Sequence, residues 1–138
     1  MIEWKPWAPK ENINNLMIAK SSFISDKGLI LGFEDKAHTK NVFIEFKKGF
    51  LSVRESDEFC YEKSFESLSS YLHQIGHSKK EHGYLFILEK SDYIDWFIKQ
   101  SLRTYDQKEI KHYVIITDDV ISEILSTEAP EIVIKRIT

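Results

Sequence analysis

Residues 42–55 read VFIEFKKGFLSVRE and contain two runs in which apolar and polar side chains alternate. The first run, Val42–Lys47, places Val42, Ile44 and Phe46 on one side. The second run, Phe50–Glu55, repeats the alternation after a short connection that contains a glycine. A period of two predicts strands, and the short glycine-containing connection predicts a β-hairpin. We therefore expect Val42, Ile44 and Phe46 to be buried and Glu45 and Lys47 to be exposed.

The residues before this hairpin predict one helix and one further strand. Ile13, Leu16 and Met17 follow an i, i+3, i+4 pattern, which predicts a short amphipathic helix between Lys10 and Ser22. Asp26-Lys27-Gly28 is a turn signal, and Leu29–Phe33 then predicts a strand. With the hairpin, this strand makes a three-stranded meander in the N-terminal half.

The C-terminal half predicts strands and helices in alternation. Ser64, Ser91 and Thr117 each precede a run with helical spacing, and a hydroxyl at such a position can cap the helix. Asp118 and Asp119 after Thr117 suit the first turn of a helix. The expected elements are helix 64–75, strand Tyr84–Leu88, a helix after Ser91 whose apolar stripe reaches Tyr105, strand Lys111–Thr117, a short helix carrying Val120, Ile121, Ile124 and Leu125, and strand Ile132–Ile137.

These elements predict an α+β fold. We expect one globular domain over residues 1–138, with a mixed, mainly antiparallel sheet that begins with the β-meander and carries three to four packed helices. A chain of 138 residues is long enough to bury such a core. Residues 1–9 form an N-terminal arm in which Trp4 and Trp7 must pack back on the domain or on a partner, because the arm is too short for its own core.

Composition narrows the class of protein. The single cysteine, Cys60, excludes an intramolecular disulfide framework and a cysteine-based zinc site, and it fits a reducing compartment. The N-terminal residues lack the pattern of a signal peptide, and no apolar run is long enough to cross a bilayer. We therefore expect a cytoplasmic protein with no membrane partner. A net charge of −3, with no basic run longer than two residues, argues against nucleic-acid binding.

The residues capable of catalysis or metal binding are scattered along the chain. His73, His77 and His82 are close in sequence, but Gly76 interrupts them and no fourth ligand has a suitable spacing, so we expect solvated histidines and no metal. No glycine-rich phosphate loop is present, and no cofactor is expected. His112 lies in a predicted strand, where it is either a satisfied half-buried residue or a base. The enzyme hypothesis depends on His112 acting with Arg54 or Glu55.

The charge distribution has one sharp feature. Residues 55–66 contain five acidic side chains and one lysine, a net charge of −4. This segment is either a solvated loop or an acidic patch that attracts a basic protein. Tyr93 and Trp96 form a second stripe beside the apolar one on the helix after Ser91, and Tyr, Trp and Arg are enriched in interface hot spots. The candidate partner-binding residues are Glu55, Asp57, Glu58, Glu62, Trp96 and Arg103.

The C-terminal third carries a family resemblance. The runs Ser91–Phe97, Lys111–Ile115 and Ala129–Ile132 are similar to small uncharacterised bacterial proteins, some of which are immunity proteins of bacterial toxin systems. The resemblance contains no catalytic motif and transfers no functional residue. It implies a non-enzymatic protein-binding module, in the most concrete case an immunity protein that masks the active surface of a basic toxin domain. The alternative is a small enzyme that uses His112.

Overall fold

The computed structural model describes residues 5–7, 17–35, 37–57, 84–117 and 120–137, and most of them lie in β-strands. The described residues form nine strands, one α-helix and one 3-10 helix. In chain order these are β1 (Lys5–Pro6), β2 (Met17–Ser25), β3 (Gly28–Asp35), β4 (Lys40–Phe46), β5 (Phe50–Asp57), β6 (Tyr84–Leu88), α1 (Asp92–Gln100), the 3-10 helix (Gln107–Glu109), β7 (Lys111–Ile116), β8 (Val120–Ser126) and β9 (Glu131–Arg136).

The strands form two antiparallel sheets that pack face to face. The five-stranded sheet has the order β1-β6-β7-β8-β5, and the four-stranded sheet has the order β2-β3-β4-β9. Apolar residues from both inner faces make one buried cluster between the sheets. Its buried members are Leu29, Leu31, Phe33, Val42, Ile44 and Phe46 from the four-stranded sheet and Leu85, Tyr113, Ile115 and Ile124 from the five-stranded sheet.

The helix α1 covers the outer face of the five-stranded sheet. Tyr93 and Ile94 of α1 pack with Ile110 and with Leu125 of β8 in a second buried cluster. The five-stranded sheet is therefore covered on both faces, by the other sheet on one side and by α1 on the other. This layering buries polar residues of β7 and β8 as well as apolar ones, because neither face of those strands is open to water.

Residues 5–7 of the N-terminal arm pack on the domain. Lys5 and Pro6 pair with Ile87 and Phe86 of β6, which makes β1 the strand next to β6. The backbone N–H of Trp7 donates to the carbonyl of Leu85 over 2.9 Å. The Trp7 ring lies edge-on against Tyr113, with centroids 5.5 Å apart. The arm was expected to pack either on the domain or on a partner. Its described residues pack on the domain, where Trp7 borders the core.

The predicted fold class is wrong. The expected mixed sheet with three to four packed helices is replaced, in the described residues, by two antiparallel sheets and one α-helix. Two of the expected helices overlap strands. Residues 17–22 of the helix expected at Lys10–Ser22 belong to β2, and the helix expected after Thr117 is β8, which pairs with β7 and β5. Helix 64–75 lies outside the described residues.

The predicted hairpin is also wrong, although its strands exist. The strands β4 and β5 follow each other in the chain but do not pair: β4 lies between β3 and β9, and β5 pairs with β8 in the other sheet. The expected side-chain pattern of β4 is confirmed for Val42, Ile44 and Phe46, which are at most 1% exposed. Lys47 is exposed as expected, whereas Glu45 is half-buried.

The helix after Ser91 is confirmed, with an earlier end than expected. The Ser91 hydroxyl accepts from the backbone N–H of Ile94 over 3.2 Å, which is the predicted N-cap. The helix ends at Gln100, so Leu102 lies in the following turn and is 89% exposed instead of facing the core. Strands β6, β7 and β9 match the predicted ones within one or two residues. No helix in the described part of the chain is long and apolar enough to cross a membrane.

Candidate functional site

His112 lies at the centre of a buried polar network on the outer face of the five-stranded sheet. It belongs to β7 and is 2% exposed. Its Nδ1 lies 2.8 Å from Oγ of Ser91, the residue that caps α1. Its Nε2 lies 2.9 Å from Oε1 of Glu123 on β8. Both ring nitrogens are therefore engaged, one with the helix and one with the neighbouring strand.

The carboxylate of Glu123 also holds Arg54 of β5. Arg54 donates from Nε to Oε2 over 2.6 Å and from Nη2 to Oε1 over 3.1 Å, which is a bidentate ion pair. A carboxylate only accepts hydrogen bonds, so Nε2 of His112 donates to Glu123. The hydrogen-bonded groups form a chain from Ser91 through His112 to Glu123, and Arg54 neutralises the carboxylate.

Tyr93 of α1 joins this network to the surface. Its ring stands edge-on to His112, with centroids 5.3 Å apart, and its hydroxyl lies 2.6 Å from Oγ of Ser52. The Arg54 guanidinium lies 4.1 Å from the centroid of the Tyr93 ring, within the range of a cation–π contact. Burial raises the pKa of the Tyr93 phenol above its ordinary value. The phenol therefore stays protonated at neutral pH.

Trp96 is an exposed aromatic residue that packs on Tyr93, which is itself 3% exposed. Its ring lies 5.9 Å from that of Tyr93, and the residue is 51% exposed. The side chain of Arg54 is 44% exposed. We call Arg54, Tyr93 and Trp96 the Arg54–Trp96 patch. Its two exposed members are Arg54 and Trp96. The ion pair with Glu123 fixes Arg54, and Trp96 packs on Tyr93, whose hydroxyl is hydrogen-bonded to Ser52.

The structure separates the residues that the sequence proposed as one partner-binding site. Trp96 lies on α1, above the outer face of the five-stranded sheet. Glu55 lies on the opposite face of that sheet, because it follows Arg54 on β5 and successive side chains alternate. Asp57 ends β5, and Glu58 and Glu62 lie outside the described residues.

Arg103 lies beyond the C-terminal end of α1. It is exposed in the turn after α1 and borders an open groove of about 710 Å³ beside the 3-10 helix. Trp96 does not line this groove. The groove is lined by Asp95, Ile98, Lys99, Arg103, Thr104, Tyr105, Asp106, Gln107 and Glu109.

The structure brings His112 and Arg54 together through a residue that the sequence did not indicate. Glu123 was expected on a helix, where nothing connects it to His112. Its one signal was a charged residue within the apolar run from Val120 to Leu125. Among the described residues, no group of His, Cys, Asp and Glu side chains has the arrangement of a metal site. Cys60, His73, His77, His82, Asp118 and Asp119 lie outside the described residues.

Comparison of the chain with protein-family models, with curated proteins and with solved structures finds no match.

Proposed function

We propose that the chain is a non-enzymatic protein-binding module and that the Arg54–Trp96 patch is its contact surface. The supporting observation is that Trp96, which is half-exposed, packs against Tyr93. Tyr93 is fixed in turn by its hydrogen bond to Ser52 and by its contacts with Arg54 and His112. Trp, Tyr and Arg are the residue types that dominate binding hot spots. A side chain that is fixed before binding loses less conformational entropy when the partner arrives.

The charges around the patch favour a basic partner. Asp92 and Asp95 are exposed on α1, the helix that carries Trp96. Complementary charge increases the rate of association with a basic protein. The most concrete form of the proposal is a cytoplasmic immunity protein, of the kind the sequence resembles, that covers a basic surface of a bacterial toxin domain.

The test is a binding titration with a partner purified from the cells that make this protein. Trp96→Ala is expected to weaken binding by about 30-fold, which corresponds to the roughly 2 kcal/mol of a hot-spot residue. The matched control is Ile134→Ala, because Ile134 is also apolar and exposed but belongs to the other sheet. Equal effects of the two substitutions, or no effect of Trp96→Ala, would reject the patch as the contact surface.

A salt series tests the acidic segment separately. Reversal of Asp57 and Glu58 to Lys is expected to slow association and to reduce its dependence on ionic strength, because exposed charges act over about a Debye length of 8 Å. If the double reversal changes neither the association rate nor its salt dependence, the segment is an ordinary solvated loop. The binding proposal would then depend on the patch alone.

The hydrogen-bonded chain of Ser91, His112 and Glu123 favours one second candidate, a small enzyme. A hydroxyl, an imidazole and a carboxylate follow each other as in serine hydrolases, although the two ring nitrogens have exchanged roles. Two observations weigh against this candidate: the Ser91 oxygen already caps α1, and His112 is 2% exposed. A fluorophosphonate probe that labels Ser91 in the native protein but not in Ser91→Ala would establish the enzyme. No labelling would leave the network a purely structural role.

A further inference from the structure

The strand β2 offers an apolar edge that no described strand covers. It pairs with β3 on one side and is the outermost described strand of the four-stranded sheet. Residues 20–24 are all exposed, and they include Phe23 at 61% and Ile24 at 58%. An outermost strand presents a row of unpaired backbone N–H and C=O groups on which another strand can pair.

Each face of this edge carries one exposed apolar side chain. Phe23 pairs with Ile30 on the outer face of the sheet, and Ile24 pairs with Leu29, which is fully buried between the sheets. Ile24 therefore points to the inner side of the sheet and is nevertheless 58% exposed. A strand added at this edge would contact an apolar side chain on each face.

We propose that this edge binds a second copy of the chain, with the two β2 strands antiparallel and the two-fold axis at Phe23. In this register the two Phe23 side chains face each other, and each Ile24 lies opposite Ser22 of the other copy. Lys20 of each copy then lies near Asp26 of the other, which is the first residue of the turn after β2. Aromatic pairs and opposite charges directly across two strands are stabilising, and a two-fold dimer is the commonest closed assembly.

The sequence of the edge selects this register. A shift of the axis to Ser22 would place Ile24 opposite Lys20 and Asp26 opposite Ile18, so both favourable pairs would be lost. The register of β2 with β3 shifts between Ala19 and Ser21, and such a bulge limits the length of regular pairing. We therefore expect a weak dimer whose population rises with protein concentration. The proposal is independent of the Arg54–Trp96 patch, which lies on the other sheet.

Sedimentation equilibrium of the full chain over a wide concentration range tests the dimer. Lys20→Glu alone and Asp26→Lys alone each place like charges opposite each other at two positions, so each variant is expected to dimerise at least about tenfold more weakly. An equimolar mixture of the two variants restores opposite charges at both positions and is expected to dimerise like the native chain.

The controls separate pairing from folding. Lys27→Glu changes a neighbouring exposed charge that lies opposite Ala19 in the proposed register, so it should leave dimerisation unchanged. Lys20 also lies 3.5 Å from Glu34, so thermal unfolding must show that Lys20→Glu is folded. A native chain that stays monomeric at every concentration, or a mixture that associates no better than either variant alone, overturns the proposal.

Discussion

Asp35 shows how a single buried charge is stabilised in this protein. It is 4% exposed, and its carboxylate accepts from the Thr39 hydroxyl, from the Thr39 backbone N–H over 2.8 Å and from the Lys40 backbone N–H over 3.0 Å. The Thr39 hydroxyl makes the largest contribution, and together these donors hold the pKa of Asp35 below its usual value although burial opposes them. The ionised carboxylate is therefore the form that the fold stabilises.

The lowered pKa of Asp35 predicts how Asp35→Asn changes stability with pH. Since the pKa is lower in the folded chain than in the unfolded chain, the contribution is complete above the unfolded pKa and disappears as the pH falls through the folded pKa. Asp35→Asn is therefore expected to lower the free energy of unfolding at neutral pH and to approach the native value in acid. Urea titrations at several pH values measure this, with the exposed Asp26→Asn as control. A difference that does not depend on pH would contradict the argument.

Two histidines that contact glutamates differ in their burial. His112 and Glu123 are both buried. His38, which is hydrogen-bonded to Glu34, has a side chain that is 60% exposed. His112→Ala leaves a cavity and removes hydrogen bonds from Ser91 and Glu123, so a loss of about 3 kcal/mol in the free energy of unfolding is expected. His38→Ala should change it little, because solvent screens exposed pairs. Denaturant unfolding of both variants measures the two changes. Equal losses in the free energy of unfolding would show that burial does not determine how much each histidine contributes to stability.

The sequence predicted some of the contacts around His112 and missed others. The Ser91 cap was predicted because a hydroxyl before an amphipathic run is a local signal. The burial of His112 was one of two alternatives. Its partner Glu123 was missed because the contact depends on which strands are neighbours. Such pairing is decided by the whole fold and leaves no local pattern.

The strand β8 shows why a whole element was predicted wrongly. Val120, Ile121, Ile124 and Leu125 have the spacing of an apolar helix face. In the structure the strand is buried on both sides, so Ile124 faces the other sheet while Leu125 faces α1. A strand covered on both faces loses the alternation by which strands are recognised. The strand β4, whose outer face is half-buried, kept its alternation and was predicted correctly.

The helix α1 ends in a Schellman motif built on a leucine. The N–H of Arg103 donates to the carbonyl of Ile98 over 2.9 Å, and the N–H of Leu102 donates to that of Lys99 over 3.2 Å. Leu102 has φ of 54°, a left-handed conformation in which glycine is the usual residue. The Leu102 side chain is 89% exposed, so it contributes little packing that offsets the strain.

We therefore expect Leu102→Gly to stabilise the protein. The left-handed conformation costs an L-residue roughly 1 kcal/mol that glycine does not incur, so the free energy of unfolding should rise by about that amount. Leu102→Ala is the matched control, because it removes the exposed side chain but keeps the strain and should be nearly neutral. Thermal unfolding of the two variants is the measurement. A stabilisation by alanine equal to that by glycine would show that the side chain, and not the backbone, is unfavourable.

Among the described strands, the chain passes from one sheet to the other three times, between β1 and β2, between β4 and β5 and between β8 and β9, and the last two passages pack against each other. The strand β4 lies in the four-stranded sheet and β5 in the five-stranded sheet, and β8 and β9 are divided in the opposite order. The two connections touch, because the N–H of Thr127 donates to the carbonyl of Gly49 over 2.9 Å. The alternating runs of residues 42–55 predicted both strands but also a hairpin. A short glycine connection suits a hairpin and a crossing between sheets alike, and the choice depends on the pairing of β4 with β9 and of β5 with β8.

Gly49 is the residue on which this contact depends. It has φ of 74°, and a Cβ at this position would lie 2.3 Å from Oγ1 of Thr127 and 2.8 Å from the backbone nitrogen of Glu128. Gly49→Ala therefore imposes both a strained backbone and a collision with the second connection. A loss of at least about 2 kcal/mol in the free energy of unfolding is expected.

Two further variants separate these causes. Lys48→Ala, at the exposed neighbouring position, should have little effect. Combining Gly49→Ala with Thr127→Ala removes the closest contact but leaves the positive φ and the contact with the Glu128 backbone. The double variant should therefore recover only part of the lost stability in denaturant unfolding. If Gly49→Ala were as stable as the native chain, the two connections would not be packed against each other, and the crossing between sheets would have to be held by strand pairing alone.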